Sequence, residues 1–250
     1  MFNNFFNNIF GDKKLKERLD LTELVTDMHS HLLPGIDDGA PDISVSIALI
    51  KEMQALGYKK LITTPHIMAD VYKNTPEIIV EKYQLLSESV QNEGIDMEII
   101  AAGEYLIDDG FEEIFKNKNL LTFGDNFVLI ELPYYHVPPN LHEITFELQV
   151  SGYKIILAHP ERYAYWHNDF EKFEGLKDRG IFFQLNIMSL SGRYSPEVKK
   201  IAEKMIDLEM IDYLGSDLHN FSYLDSLKKS LYEPYLKKAL QSGLIKNHLI

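Results

Sequence analysis

Six times along this chain a short, apolar, β-branched run finishes on a histidine or a carboxylate, and helix-patterned sequence follows. The runs expected as strands are residues 24–28, 60–64, 97–102, 127–132, 153–158, 181–187 and 211–215. Each is bounded by turn residues and is too short for a helix. Between them, residues 43–56, 76–92, 141–151 and 196–208 carry helical periodicity, with a last helix expected near 227–241. Asp42 and Ser195 stand where N-caps belong, and Pro76 and Pro196 suit a first helical turn. Alternating βα units predict a parallel sheet.

The strand ends decide how that sheet is arranged. They read Asp27-Met28-His29-Ser30-His31, Thr64-Pro65-His66, Gly103-Glu104, Ile130-Glu131-Leu132, Ala158-His159-Pro160-Glu161-Arg162 and Ser216-Asp217-Leu218-His219. His29 and His31, two positions apart on an extended chain, point to one side. Asp37 and Asp38 return toward them through a Pro-Gly turn. All these termini meet only if the strands curl around one axis, because an open sheet strands its outer edges far from any shared crevice. The pattern therefore predicts an α/β chain closed into a TIM-like barrel, whose functional groups collect at the C-terminal ends of the strands.

Imidazoles and carboxylates packed after buried runs are costly without cations to neutralise them, so the cluster predicts a metal site. Nitrogen and oxygen donors suit manganese, iron, zinc or magnesium. Cysteine is absent, which excludes disulfides, thiolate sites and cysteine nucleophiles. With 38 acidic against 25 basic side chains the formal charge is -13, which excludes broad nucleic-acid binding. No apolar run is long enough to span a bilayer and the start lacks secretory features, so a cytoplasmic location is expected. Phe2, Phe5, Phe6, Ile9 and Phe10 fall at helical spacing and predict a short amphipathic helix within an extension of residues 1–24, preceding a domain of residues 25–250. Packing on its own domain is the first expectation for that helix, and peripheral contact with a partner or a membrane surface is the second.

These motifs, taken in order, resemble the polymerase and histidinol phosphatase (PHP) superfamily, and within it the bacterial manganese-dependent tyrosine-protein phosphatases of capsule and exopolysaccharide operons. The stretch from Asp27 to Gly39 is close to diagnostic for that subgroup. The resemblance covers about residues 25 to 245 and implies a distorted (β/α)7 barrel, the PHP fold, holding three divalent metal ions. It implies that His29, His31, Glu104 and Asp217 hold one ion, that Glu104 bridges to a second completed by Glu131 and His159, and that Asp38, His66 and His219 hold the third. Arg162 matches the arginine that contacts phosphate. A second arginine, usual shortly after the last Asp-x-His motif, is missing from residues 220–225, which leaves Lys228 or Lys229 as substitutes. The implied substrate is a phosphotyrosine protein, foremost the tyrosine-rich tail of a bacterial kinase that controls polysaccharide export.

Three divalent cations and Arg162 outweigh four carboxylates, so an acidic protein can still present a cationic pocket to a phosphate dianion. The chemistry expected is in-line attack by a metal-activated water, with no covalent intermediate. Tyr105, Tyr134, Tyr135, Tyr163, Tyr165 and Trp166 follow ligand-bearing strand ends and are candidates either for an aromatic wall or for loop packing. Asn186 either orients the nucleophile or closes a turn. A small-molecule phosphoesterase of the histidinol-phosphate kind is the competing activity, and a metal-stabilised scaffold without catalysis is the competing class.

Overall fold

A computed structural model describes residues 14–116 and 120–250. The strands are β1 (Thr26–Asp27), β2 (Lys60–Thr63), β3 (His66–Ile67), β4 (Glu98–Ala101), β5 (Glu104–Leu106), β6 (Phe127–Glu131), β7 (Lys154–Ala158), β8 (Phe182–Asn186) and β9 (Tyr213–Gly215). β2 and β3 are two halves of one stave, interrupted at Thr64-Pro65, where proline has no N–H to give the ladder. β4 and β5 are likewise one stave broken at Ala102-Gly103. The expected strands at 60–64 and 97–102 therefore continue past their predicted ends, and both continuations begin on candidate metal ligands, His66 and Glu104.

All pairings between these strands are parallel, with β1 against β2, β2 against β4, β3 against β5, and β5 to β9 in sequence order. Two irregular segments close the ring. Just beyond β1 and β9, Ser30 and Leu218 form a parallel bridge, His31 N donates to Leu218 O at 2.9 Å and Asp217 N donates to His29 O at 2.8 Å. Lower on the same seam the strands are joined by side chains. Asn247 Nδ2 donates to Thr26 O at 2.9 Å and Leu214 O at 2.7 Å, and its Oδ1 accepts from Leu214 N at 2.9 Å. Asp27 accepts from the Ser216 N–H and hydroxyl at 2.8 and 2.6 Å. The barrel is distorted because this seam is stitched by amide and carboxylate groups rather than by a regular ladder.

Apolar packing separates into two layers. Met28, Ile62, Ala102, Phe127, Leu129, Ile156, Ala158 and Tyr213 form a compact inner cluster, flanked by Ile100 and Phe182, so every stave contributes. This is the barrel interior. A larger cluster, including Leu61, Ile99, Val128, Ile130, Ile155, Leu157, Phe183 and Leu214, lies between the staves and the surrounding helices. The helices are α1 (Ile43–Ala55), α2 (Pro76–Asn92), α3 (Phe111–Phe115), α4 (Leu141–Val150), α5 (Glu171–Asp178), α6 (Pro196–Asp207), α7 (Phe221–Ser230) and α8 (Pro234–Gln241). Asp42 and Ser195 cap α1 and α6 by accepting from Val45 N and Val198 N, as their positions predict.

The single helix expected near 227–241 is two. Pro234 lacks the N–H an uninterrupted helix would use, and Glu233 before it is extended, so α7 ends and α8 restarts with proline in its first turn. The first strand also starts later than expected, because Leu24 belongs to a 3-10 turn over Thr22–Leu24. The predicted amphipathic helix over Phe2–Phe10 lies outside the described residues. Within the described part of the 1–24 segment, Leu15 N and Leu19 N donate to Tyr232 O and Leu231 O, and Leu21 is fully buried. Among the described residues no helix is long and apolar enough to cross a membrane.

Asn247→Ala removes three hydrogen bonds and leaves buried backbone groups on both sides of the seam without partners. The expected cost is about 3 kcal/mol of unfolding free energy, read from urea denaturation midpoints, because each orphaned group loses its hydration with nothing in return. A change within about 0.5 kcal/mol would show that the seam does not depend on this side chain.

Candidate metal centre

Strand parity explains how most of the candidate ligands reach one place. On β6, Phe127 and Leu129 belong to the inner cluster while Val128 and Ile130 face the helices, so Glu131 points inward. Ile100 and Ala102 face inward too, and the same period turns Glu104 into the barrel. β8 presents Phe182, Gln184 and Asn186 inward in alternation. His159 breaks the rule. Ile156 and Ala158 already face inward, so a continued strand would send residue 159 toward the helices. Instead its backbone turns left-handed, at φ 34° and ψ 57°, and swings the imidazole back into the barrel. Asp217 is also left-handed, at φ 49°. Strain of this kind, of order 1–3 kcal/mol per residue, is retained where a functional geometry requires it.

The nine predicted ligands converge in one cup, eight of them buried and Asp38 on its exposed side. His29 Nε2 and His31 Nε2 lie 3.3 Å apart. Glu104 Oε2 lies 3.3 and 3.4 Å from them, and Asp217 Oδ1 lies 3.4 Å from each. Donors at about 2.0–2.1 Å around a four-coordinate divalent cation are spaced about 3.3–3.4 Å from one another. The other carboxylate oxygen of Glu104, Oε1, lies 3.2 Å from His159 Nε2, which is 3.5 Å from Glu131 Oε1. Asp38 Oδ1 lies 3.5 Å from both His66 Nε2 and His219 Nε2. His66 spans two of these groups, because its Nδ1 faces Glu104 Oε2 at 3.0 Å and Glu131 Oε2 at 3.8 Å.

These contacts are poorly served by protons. Glu104 Oε2 and His66 Nδ1 are buried, close, and without a hydrogen bond of good geometry. Orphaned donors pointing at a common centre are what a cation would satisfy, so the residues fit divalent metal. The imidazoles are pre-oriented from behind. His29 Nδ1 pairs with Gln184 Oε1 at 2.9 Å and His31 Nδ1 with Asp37 Oδ2 at 2.7 Å, which turns each Nε2 into the cup. Close backbone approach supports the same aim. A Cβ on Gly39 would lie 2.1 Å from His31 O, and one on Gly215 would meet the Gln184 amide at 2.5 Å.

The facing acids and imidazoles shift one another's pKa values. Burial alone would lower the His29 pKa, but Glu104 and Asp217 outweigh it and raise it to about 9. His31 is raised well above the usual histidine value against the same burial, chiefly by Asp37. Burial would raise the acids, yet the facing imidazoles hold Glu104 and Asp217 well below the carboxylate range. Asp38 falls to about 2, mainly through its hydrogen bond with His219.

Arg162 lies at the edge of the cup, its Nη1 3.3 Å from Asp217 Oδ2 and its side chain 21% exposed. Its guanidinium lies over the rings of both Tyr134, at 4.6 Å, and Tyr194, at 4.2 Å. The most open donor is Asp38, 54% exposed, beside Tyr72 stacked on His66 and Tyr223 packed on His219. Lys228 is paired with Glu52 at 2.6 Å. The guanidinium lying against the start of α7 comes instead from Arg193, which stacks on Tyr223 at 3.7 Å and bonds Ser222 and Ser226.

Of the six aromatics singled out by position, Tyr134 and Tyr163 touch the cup, each with its ring 6.0 Å from that of His159. Tyr105 and Tyr163 are buried and tie backbone groups of Leu121, Leu132 and Ala158, Trp166 packs on Phe173, Tyr165 stacks on Tyr163, and Tyr135 is 96% exposed. Asn186 does not close a turn. Its Nδ2 donates to Asp217 Oδ2 at 2.7 Å and to the Tyr194 hydroxyl at 3.0 Å. Sequence reasoning missed Gln184, Tyr72, Tyr194 and Tyr223. Gln184 had a signal, being polar on the inward parity of a buried strand, whereas Tyr72 and Tyr194 arrive on loops and Tyr223 in the first turn of α7.

Residues 25–241 match the family described as capsular polysaccharide synthesis, CpsB/CapC. The chain belongs to this family. It is 31% identical over 195 residues to the tyrosine-protein phosphatase YwqE of Bacillus subtilis, across 78% of this chain and 77% of that protein. It is 28% identical over 221 residues to a putative tyrosine-protein phosphatase, CapC of Staphylococcus aureus, across 88% and 87% of the two chains. Among solved structures it superposes on a chain from the work on YwqE and Streptococcus pneumoniae CpsB, described as unique metal-dependent tyrosine phosphatases. The TM-score there is 0.73, with 28% identity over 89% of this chain and 94% of that one. A histidinol phosphate phosphatase from Lactococcus lactis shares the fold at TM-score 0.51 and 15% identity, over 89% and 93% of the chains. The span shared with the CpsB/CapC family contains all nine cup residues and Arg162.

Metal uptake by the stripped protein should release protons and weaken as pH falls below about 9, because His29 must lose its proton before it can coordinate. Calorimetric titration in buffers of different ionisation enthalpy measures this, and uptake without proton release would contradict the arrangement. His31→Ala should lose metal by elemental analysis, with affinity reduced on the order of a hundredfold.

Proposed function

We propose that this chain is a metal-dependent protein-tyrosine phosphatase acting in the cytoplasm, with residues 25–250 as the catalytic unit and residues 1–24 preceding it. Three divalent ions, manganese foremost, are held by the donor groups around His29, His31, Glu104 and Asp217, around Glu104, Glu131 and His159, and around Asp38, His66 and His219. Bound there, such ions supply Lewis acidity and make water a competent nucleophile at neutral pH. The protein's own part is positioning. Arg162 offers a forked pair of donors to the non-bridging phosphate oxygens, and its stacked setting keeps that fork in one plane. A phenolate, with an unperturbed pKa of about 10, leaves more readily than an alkoxide, so no strong general acid is required.

The observation that carries the reading is the openness of the Asp38 side of the cup, flanked by Tyr72 and Tyr223. A phosphorylated side chain on another protein can reach in from there with its ring against tyrosine faces, whereas a phosphatase for a small free metabolite gains from enclosing it. YwqE, a tyrosine-protein phosphatase, and CapC, a putative one, support the same substrate class. The partner proposed is the phosphorylated tail of a bacterial tyrosine kinase controlling polysaccharide synthesis.

Turnover of a phosphotyrosine peptide and of histidinol phosphate by the manganese-loaded protein tests this. The peptide should be preferred by at least about tenfold in kcat/KM, a difference of about 1.4 kcal/mol. Preference for histidinol phosphate would overturn the substrate assignment. Arg162→Ala should lower kcat/KM on the peptide by on the order of a hundredfold while metal content is unchanged.

A further inference from the structure

The two rings that hold Arg162 are also tied to the metal-donor carboxylates. Tyr134 donates its hydroxyl to Glu131 Oε1 at 2.6 Å, and Tyr194 donates its hydroxyl to Asp217 Oδ2 at 3.1 Å. One tyrosine follows β6 and the other lies in the loop after β8, so the guanidinium is held by two rings with different anchors. Asp217 shows what the tether does. Its Oδ2 takes Asn186 Nδ2, the Tyr194 hydroxyl and Arg162 Nη1, while Oδ1 is left facing His29 and His31. The carboxylate is thereby divided into an oxygen for the clamp and an oxygen for the cation.

We propose that Tyr134 and Tyr194 are positioning residues, a double clamp that fixes the Arg162 guanidinium in register with Glu131 and Asp217, so that phosphate binding and metal binding share one frame. Each ring face restrains the guanidinium plane by a cation–π contact in a largely desolvated setting. The Tyr194 hydroxyl orients the Asp217 carboxylate from behind, and the Tyr134 hydroxyl fixes Glu131 at Oε1. A long, flexible arginine would otherwise have to be ordered at each binding event, and that ordering cost comes out of affinity. The inference rests on the phosphate role proposed above for Arg162.

The two halves of each tyrosine can be separated. Tyr134→Phe and Tyr194→Phe keep the ring and lose the tether, whereas Tyr134→Leu and Tyr194→Leu lose both. In calorimetric titration of manganese-loaded protein with inorganic phosphate, the Phe variants should bind phosphate within about twofold of the parent, and the Leu variants about tenfold more weakly. In manganese titration of stripped protein, all four variants should lose several-fold to about tenfold in affinity. In an Arg162→Ala background, Tyr194→Leu should weaken phosphate no further, since a clamp with nothing to hold has no effect.

Phosphate affinity unchanged in both Leu variants, or an equal loss from Tyr194→Leu with and without Arg162, would overturn the clamp and leave the phosphatase reading intact. Failure of the parent protein itself to bind phosphate would overturn both. The Phe variants conserve volume, so their metal readout remains available if a Leu variant does not fold, and parent-like manganese affinity in both Phe variants would overturn the tether.

Discussion

The short contacts where the end of β9 meets the end of β1 carry the rest of the structure. Asp217 N donating to His29 O joins, through one hydrogen bond, two of the four donors that surround the first candidate cation position. If the seam opened, His29 and Asp217 would separate and the parallel sheet would have two free edges. The seam is also the least regular part of the ring. Asn247 and Asp27 supply from side chains what a backbone ladder supplies elsewhere. Such side-chain stitching leaves both strands free to end in non-ideal backbone, and the left-handed turn at Asp217 uses that freedom.

The cup concentrates a large local electrostatic imbalance within an acidic protein. Four carboxylates and five imidazoles share a space from which water is mostly excluded, and the imidazole protons alone satisfy them poorly. The raised His29 and His31 and the depressed Glu104 and Asp217 are two sides of that one condition. The three divalent ions proposed above would resolve it and leave a surplus for a phosphate dianion. The overall charge of -13 and an anionic substrate are therefore compatible, because the field that a ligand meets is set within a few ångströms.

Much of this was legible in the sequence. Period-two strands announce their inward positions, so Glu104 and Glu131 could be aimed from the chain alone, and Asp42, Ser195, Pro76 and Pro196 mark helix starts by local chemistry that tertiary context does not override. His159 lies on the wrong parity and reaches the cup only through a backbone turn that no hydrophobic pattern encodes. The loop tyrosines were illegible for a similar reason. Tyr72, Tyr194 and Tyr223 are brought to the cup by loops and helix starts, while for Tyr105, Tyr163 and Trp166 sequence position left a cup wall and packing both open, and all three are buried. The break at Pro234 was readable but was masked by apolar periodicity running across it.

The left-handed residue at 159 also limits how this centre could be moved. A protein engineer who grafted the nine side chains onto an idealised eight-fold scaffold would find the imidazole after β7 facing the outer helices, since regular pleating has no place for a reversal there. Transplanting the chemistry means transplanting the kinked main chain with it, so the irregularity itself belongs to the blueprint.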